Sequence, residues 1–176
     1  MPGIEIELNP VDFITVGTVG PKGRRVFYLQ AGNDEQVVSL TIEKEQSWAL
    51  SEAITELMTD IEERFGSDSS SDDQGINMDL REPIEPLFRV AQMGLGYDED
   101  EGKIIVVAQA LVITENEDDI EMDEDEALSL QAELSDVVRI WCDVAQIQAL
   151  SKQAMRKVEE GRPDAKQNGR LIYYWT

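Results

Sequence analysis

Ile4, Ile6 and Leu8 alternate with acidic residues until Asn9-Pro10 breaks the run, the pattern of a half-exposed strand. A second strand is expected from Phe13 to Val19. The turn residues Gly20-Pro21-Lys22-Gly23 then send the next run, Arg24 to Ala31, back antiparallel as its hairpin partner. Gly32-Asn33-Asp34 turns the chain again into Val37 to Ile42, where Val38, Leu40 and Ile42 share a core face. The apolar period then lengthens to about 3.6 residues. Leu50, Ile54, Leu57, Met58, Ile61 and Phe65 fall on one stripe of a helix expected from Glu45 to Phe65 and stopped by Gly66.

Ser67 to Gly75, with four serines and three aspartates, is too polar to pack and reads as a flexible linker. Beyond it the order of elements recurs: a strand from Leu87 to Met93, an acidic turn from Gly94 to Gly102, and a long strand from Lys103 to Thr114. A mostly acidic loop from Glu115 to Glu133 follows, then a strand from Val137 to Cys142. A second helix is expected from Val144 to Glu160, with Asp143 as its N-cap and Ile147, Leu150, Ala154 and Val158 on its buried stripe.

The recurrence extends to residue identities. Between 37–51 and 137–151, at a constant separation of 100 residues, six of fifteen positions are identical: Val37/Val137, Val38/Val138, Gln46/Gln146, Ala49/Ala149, Leu50/Leu150 and Ser51/Ser151. About one match is expected by chance at ordinary amino-acid frequencies. Earlier strands align as Val16/Val90 with Gly20/Gly94, and Gln30-Ala31 with Gln109-Ala110. The expected fold is α+β, a duplicated strand-strand-strand-helix unit with a mostly antiparallel sheet and two main helices. Neither copy buries its sheet face and helix stripe alone. One domain over 1–176 is expected, with repeats at about 11–66 and 85–160, a linker at 67–82 and a tail at 161–176.

Charge narrows the function classes. The chain carries 37 acids against 15 bases, a formal net charge of −22, and such a field repels nucleic acids and anionic membrane surfaces. Nine of the twelve residues from Glu115 to Glu126 are acidic, and this run reads as a solvated loop that tolerates deletion. Met1-Pro2-Gly3-Ile4-Glu5 lacks the basic start and apolar stretch of a secretory signal, and the one cysteine, Cys142, suits a reducing compartment. A cytoplasmic location is expected.

Val16-Gly17-Thr18-Val19-Gly20, Phe27-Tyr28-Leu29-Gln30-Ala31, Phe88 to Leu95 and the closing Gly161-Arg162-Pro163 carry a resemblance that covers nearly the whole chain. Together they resemble the bacterial "repeat protein" family catalogued as domain of unknown function 3090. Its motifs are structural, so the resemblance implies a fold and no reaction. Many members follow the Gly-Arg-Pro with a Cys/His-rich, zinc-ribbon-like tail. Here the chain runs from Pro163 to Asn168-Gly169 without a cysteine or histidine, so the roughly four soft ligands of a zinc site are missing.

No histidine occurs anywhere, which excludes Ser-His, Cys-His and His-metal arrangements. Cys142 falls on the inward face with Val138 and Ile140, the setting of an inert core thiol. Asp98-Glu99-Asp100-Glu101-Gly102 has its glycine fifth and Gln109 twelfth, against the sixth-position Gly and twelfth-position Glu of a calcium loop, and reads as a hairpin turn. Gly17, Gly20 and Gly23 lack the Gly-Lys-Ser/Thr of a phosphate loop and read as turn glycines. Gln30 and Gln109, with Arg24 and Lys103, form the nearest thing to a symmetric binding pair, set against a plain polar sheet face. No catalytic residue, metal site or cofactor is assigned. The expectation is a non-enzymatic interaction or regulatory module with an acidic surface for a basic protein partner, the alternative a small-molecule enzyme or sensor with its site between the repeats. The apolar run Leu171-Ile172-Tyr173-Tyr174-Trp175 is expected to dock rather than hang in water.

Overall fold

A computed structural model describes residues 3–65, 75–111 and 135–160. The elements are β1 (Glu5–Leu8), β2 (Phe13–Val19), β3 (Val26–Gly32), β4 (Val37–Ile42), α1 (Lys44–Phe65), β5 (Pro86–Asp98), β6 (Lys103–Ala110), β7 (Val137–Cys142) and α2 (Val144–Glu160). The expected loop 115–126, residues 67–74 of the expected linker 67–82 and the tail 161–176 lie outside the described residues, whereas 76–82, expected as linker, is bonded to the sheet through Met78 and Arg81.

The strands form one seven-stranded sheet in the order β1-β7-β6-β5-β4-β3-β2. Hairpin pairings β2–β3, β3–β4, β5–β6 and β6–β7 are antiparallel, whereas β4–β5 and β1–β7 are parallel. The fold is α+β with a mostly antiparallel sheet, as expected, made mixed by these two parallel pairings. Parallel pairs arise because each three-strand meander is entered by a run of chain that first lies along the last strand of the other meander. Pro86 to Arg89 runs along β4, and β5 then continues as the partner of β6. In the same way β1 runs along β7, the Val11 N–H donates to the Trp141 carbonyl at 3.2 Å, and β2 continues as the partner of β3. The two ends of the sheet order are thus joined through one bent run, residues 5–19.

Matching side chains pin both bends. The Gln46 amide accepts the Glu43 N–H at 2.7 Å through Oε1 and donates through Nε2 to the Val90 carbonyl at 3.0 Å. Gln146 does the same with the Asp143 N–H at 2.9 Å and the Val11 carbonyl at 3.0 Å, while Asp143 Oδ1 accepts the Gln146 N–H at 2.7 Å as the helix cap. One glutamine therefore satisfies a helix-terminal donor and fastens the helix to the crossing strand.

Val11 therefore corresponds to Val90, which shifts the alignment read from the sequence. A bulge between Val90 and Gln92 moves the inward positions to Val90, Met93, Leu95 and Tyr97, the spacing also seen at Val11, Ile14 and Val16. Ile42 pairs with Phe27 and Cys142 with Ile104, so Gln30 corresponds to Val107 and not to Gln109. A two-residue slip keeps every side chain on its face, so hydrophobic alternation alone does not reveal it. β5 also extends to Asp98, so the expected acidic turn from 94 shrinks to residues 99–102.

Both helices pack on the face carrying Leu8, Val16, Leu29, Leu40, Val106 and Ile140 and share one apolar core with it. They cross antiparallel at small residues. Ser51 Oγ donates to the Ser151 carbonyl at 2.9 Å, Ser151 Oγ donates to the Ser51 carbonyl at 3.2 Å, and Ser47 Oγ donates to the Ala154 carbonyl at 2.9 Å. Leu50 and Leu150, one turn position from this seam, are buried. Replacing either with Ala is expected to cost about 2–5 kcal/mol in urea unfolding, as large-to-small core changes do.

Candidate functional site

α2 closes over β2, where Ile14 and Val16 are 2% and 0% exposed. α1 stands off the corresponding stretch of β5, and a groove of about 670 Å³ opens between them. Ala49, Ala53 and Leu57 of α1 face Met93 and Leu95 of β5 across its apolar floor, and Glu56 and Asp60 form an acidic rim. The identical pair Ala49 and Ala149 makes the difference plain. Ala149 is 6% exposed, whereas Ala49 is open to solvent. Lys152 and Arg156 stand in α2 where α1 has Glu52 and Glu56. The groove is thus an uncovered counterpart of an interior contact, with acidic Glu56 at its rim where α2 has Arg156.

Polar groups lining the groove are mostly engaged in holding the fold. Gln46 is tied to Glu43 and Val90, and Gln92 Nε2 donates to Gln109 Oε1 at 2.7 Å. Glu56 and Asp60 stand at the rim, on successive helical turns and exposed, with the Arg64 guanidinium 3.8 Å from Asp60. The groove thus combines an apolar floor with two carboxylates at its edge.

The residues singled out in the sequence do not converge. Gln30 is wholly buried on the sheet face opposite the helices: its Nε2 donates to Ser39 Oγ at 3.0 Å and to the Arg81 carbonyl at 2.8 Å, and its Oε1 accepts the Arg81 N–H at 2.7 Å. Gln109 is half-buried in the other meander, bonded to Gln92. Arg24 lies exposed in the β2–β3 turn, and Lys103 reaches Asn9 Oδ1 at 3.4 Å and Glu101 at 3.7 Å. The sequence reading missed the groove altogether, because Ala49, Ala53, Met93 and Leu95 look like ordinary core residues.

Gln30 belongs to a strap. Residues 76–82 cross the outer face of β2 and β3: Thr15 Oγ1 donates to the Met78 carbonyl at 2.7 Å, and the Arg81 guanidinium lies 3.7 Å from the centre of the Phe13 ring. Leu80 fills the space over Gly17, where a Cβ would come within 2.4 Å of its Cγ. This is why Gly17 is a glycine, its φ being unexceptional; Gly20 and Gly23, with φ of 111° and 88°, serve the turn instead.

Asp98 Oδ1 accepts the N–H groups of Asp100 and Glu101 at 3.0 and 3.3 Å, and Gly102 closes the hairpin with a φ of 66°. Among the described residues no three His, Cys, Asp or Glu side chains group closely enough to hold a metal ion, and no helix is long and apolar enough to cross a membrane. Cys142 is wholly buried, and burial, followed by the neighbouring Asp143 charge, pushes its thiol far above the usual range.

These features define an α+β protein whose described residues form a mixed seven-stranded sheet, two packed helices and an uncovered apolar groove between α1 and β5. A family model described as protein of unknown function (DUF3090) matches residues 6–170, and the chain belongs to that family. No curated protein and no solved structure matches the chain.

Two outcomes follow from the buried polar groups. Gln30→Met leaves the Arg81 backbone groups short of partners, and a loss of about 1–3 kcal/mol is expected in urea unfolding. For Cys142, the unfolded thiol ionises near its ordinary 9.0 while the folded one stays protonated. Its contribution is therefore complete below that pH and is lost above it, by about 1.4 kcal/mol per pH unit. Unfolding free energies from urea titrations should fall with about half that slope at pH 9 and approach the full slope near pH 10, and Cys142→Ala should remove this contribution.

Proposed function

We propose that the protein is a cytoplasmic, non-enzymatic interaction module, and that the α1–β5 groove receives a basic amphipathic segment of a protein partner. The carrying observation is the contrast at Ala49 and Ala149: the same residue on the same kind of helix is covered in one half and bare in the other. Apolar side chains of a partner gain by leaving water over Ala53, Leu57, Met93 and Leu95, and its cations find Glu56 and Asp60 at the rim. The net charge of −22 adds long-range attraction for such a segment and repels nucleic acid. The reading includes a duplicated strand-strand-strand-helix unit, supported by the matching bonds of Gln46 and Gln146, as the rigid frame behind the groove.

Fluorescence anisotropy with labelled synthetic peptides, Leu and Phe on one face and Lys and Arg on the other, tests the proposal. Ala53 is exposed, so Ala53→Arg leaves folding intact while blocking the floor and adding a repelling charge. It should weaken binding at least about tenfold, roughly the effect of 1.4 kcal/mol. Raising salt from about 0.1 to 1 M shortens the screening length from about 10 to 3 Å and should weaken it further. Peptides that bind the variant and the parent chain equally, or bind neither, would remove this reading.

A further inference from the structure

The outer faces of the two meanders are alike in geometry and differ in what covers them. In the first, Phe13, Thr15 and Gly17 of β2 and Gln30 of β3 lie beneath the strap 76–82. The sheet registers that match Ile42 with Cys142 and Val11 with Val90 place Gly94 where the first meander has Thr15, Gly96 where it has Gly17, and Val107 where it has Gln30. Trp141 takes the place of Thr41, beside Ile105. The result is a trough with a glycine floor and walls of Ile105, Val107 and Trp141, all three half-buried. Among the described residues nothing approaches a Cβ built on Gly94, and only Ile105 Cδ1, at 4.0 Å, approaches one built on Gly96. Neither glycine has a φ that requires glycine, so both are small for a reason other than backbone conformation.

We propose that Leu171-Ile172-Tyr173-Tyr174-Trp175 is the strap of the second meander and lies in this trough. The first strap is reached from its helix: ten residues, 66–75, separate Phe65 from Ile76, and Ile76, Met78 and Leu80 then alternate inward against exposed Asn77 and Asp79. The same number, 161–170, separates Glu160 from Leu171, and Leu171, Tyr173 and Trp175 fall at the same spacing as Ile76, Met78 and Leu80, here within a run whose intervening positions, Ile172 and Tyr174, are apolar as well. Helix ends are placed alike too. Phe65 packs at a tilt against Tyr97 at the hairpin end of β5, with ring centres 5.6 Å apart, and Glu160 lies 4.0 Å from Arg25 at the hairpin end of β3. Ten residues span up to about 33 Å, ample to round a three-stranded meander about 10 Å wide. Trp175 then covers Gly96 as Leu80 covers Gly17, and Tyr173 lies over Gly94. Larger aromatic side chains suit the second trough because its floor has Gly94 where the first has Thr15. This inference is independent of the α1–β5 groove, which lies on the opposite face of the sheet.

Cysteine pairs in the full chain provide the test, with buried Cys142 left in place. Gly94→Cys with Tyr173→Cys should form an intrachain disulfide under mild oxidation, seen by mass after proteolysis and as a monomer on a non-reducing gel. Ala53→Cys with Tyr173→Cys, which places the partner thiol in the α1–β5 groove, should not. A bond from Ala53 instead, a disulfide-linked dimer, or no bond at all would overturn the proposal. As a second measurement, Gly96→Phe fills the trough. It should lower the melting temperature of the full chain to that of the chain truncated after Asn168 and leave the truncated chain unchanged. Equal shifts in both chains would show that the trough has no occupant from the tail.

Discussion

Each meander of this protein is entered by a strand that first completes the other meander, and the bend at which it changes partners is held by one glutamine amide. Gln46 grips Val90 and Gln146 grips Val11, each while satisfying the first backbone donor of its own helix. Helix position and strand crossing are thereby set by the same side chain. The two parallel pairings, the seam at Ser51 and Ser151 and the continuity of the core all follow from that arrangement, because neither half owns a complete sheet.

The polar interior is built from neutral groups. Thr15, Gln30, Ser39, Ser47, Ser51 and Gln153 are buried, while no buried residue among those described carries a charge. No buried side-chain nitrogen or oxygen among the described residues lacks a partner. Neutral hydrogen bonds specify strand and helix placement without the desolvation cost of a buried ion. The large negative charge then lies outside the core, where its self-repulsion is spread over solvated surface.

Equivalence between the halves is most informative where it fails. α2 lies down on β2 whereas α1 leaves Met93 and Leu95 half-covered, and the strap over Gly17 has no counterpart among the described residues over Gly96. Each failure leaves apolar surface that its partner half buries. The first lies on the helix face and has an acidic rim, and the second lies on the outer face of the sheet.

Much of the fold was legible in the sequence. The alternation at Val38, Leu40 and Ile42, the cap at Asp143, the inward Cys142 and the 3.6-residue stripe of α1 are local properties, and local periodicity reports which face of an element is buried; of that stripe Leu50, Ile54, Met58 and Ile61 are buried, while Leu57 is half-buried and Phe65 at the helix end is exposed. The candidate site was not legible: Gln30 and Gln109 seemed a pair, yet one anchors a strap and the other sits on the opposite meander's outer face. Alternation has a period of two, so it is blind to the two-residue slip that separates them, and it says nothing about a bulge such as that between Val90 and Gln92. The sequence alone determined the elements and their inward faces, because those depend on neighbours a few residues away. Only the tertiary structure decided that β5 and the run 5–19 each serve two meanders, and that α1 leaves a groove where α2 leaves none. Those outcomes depend on how closely distant surfaces approach, a quantity that no local pattern of residues encodes.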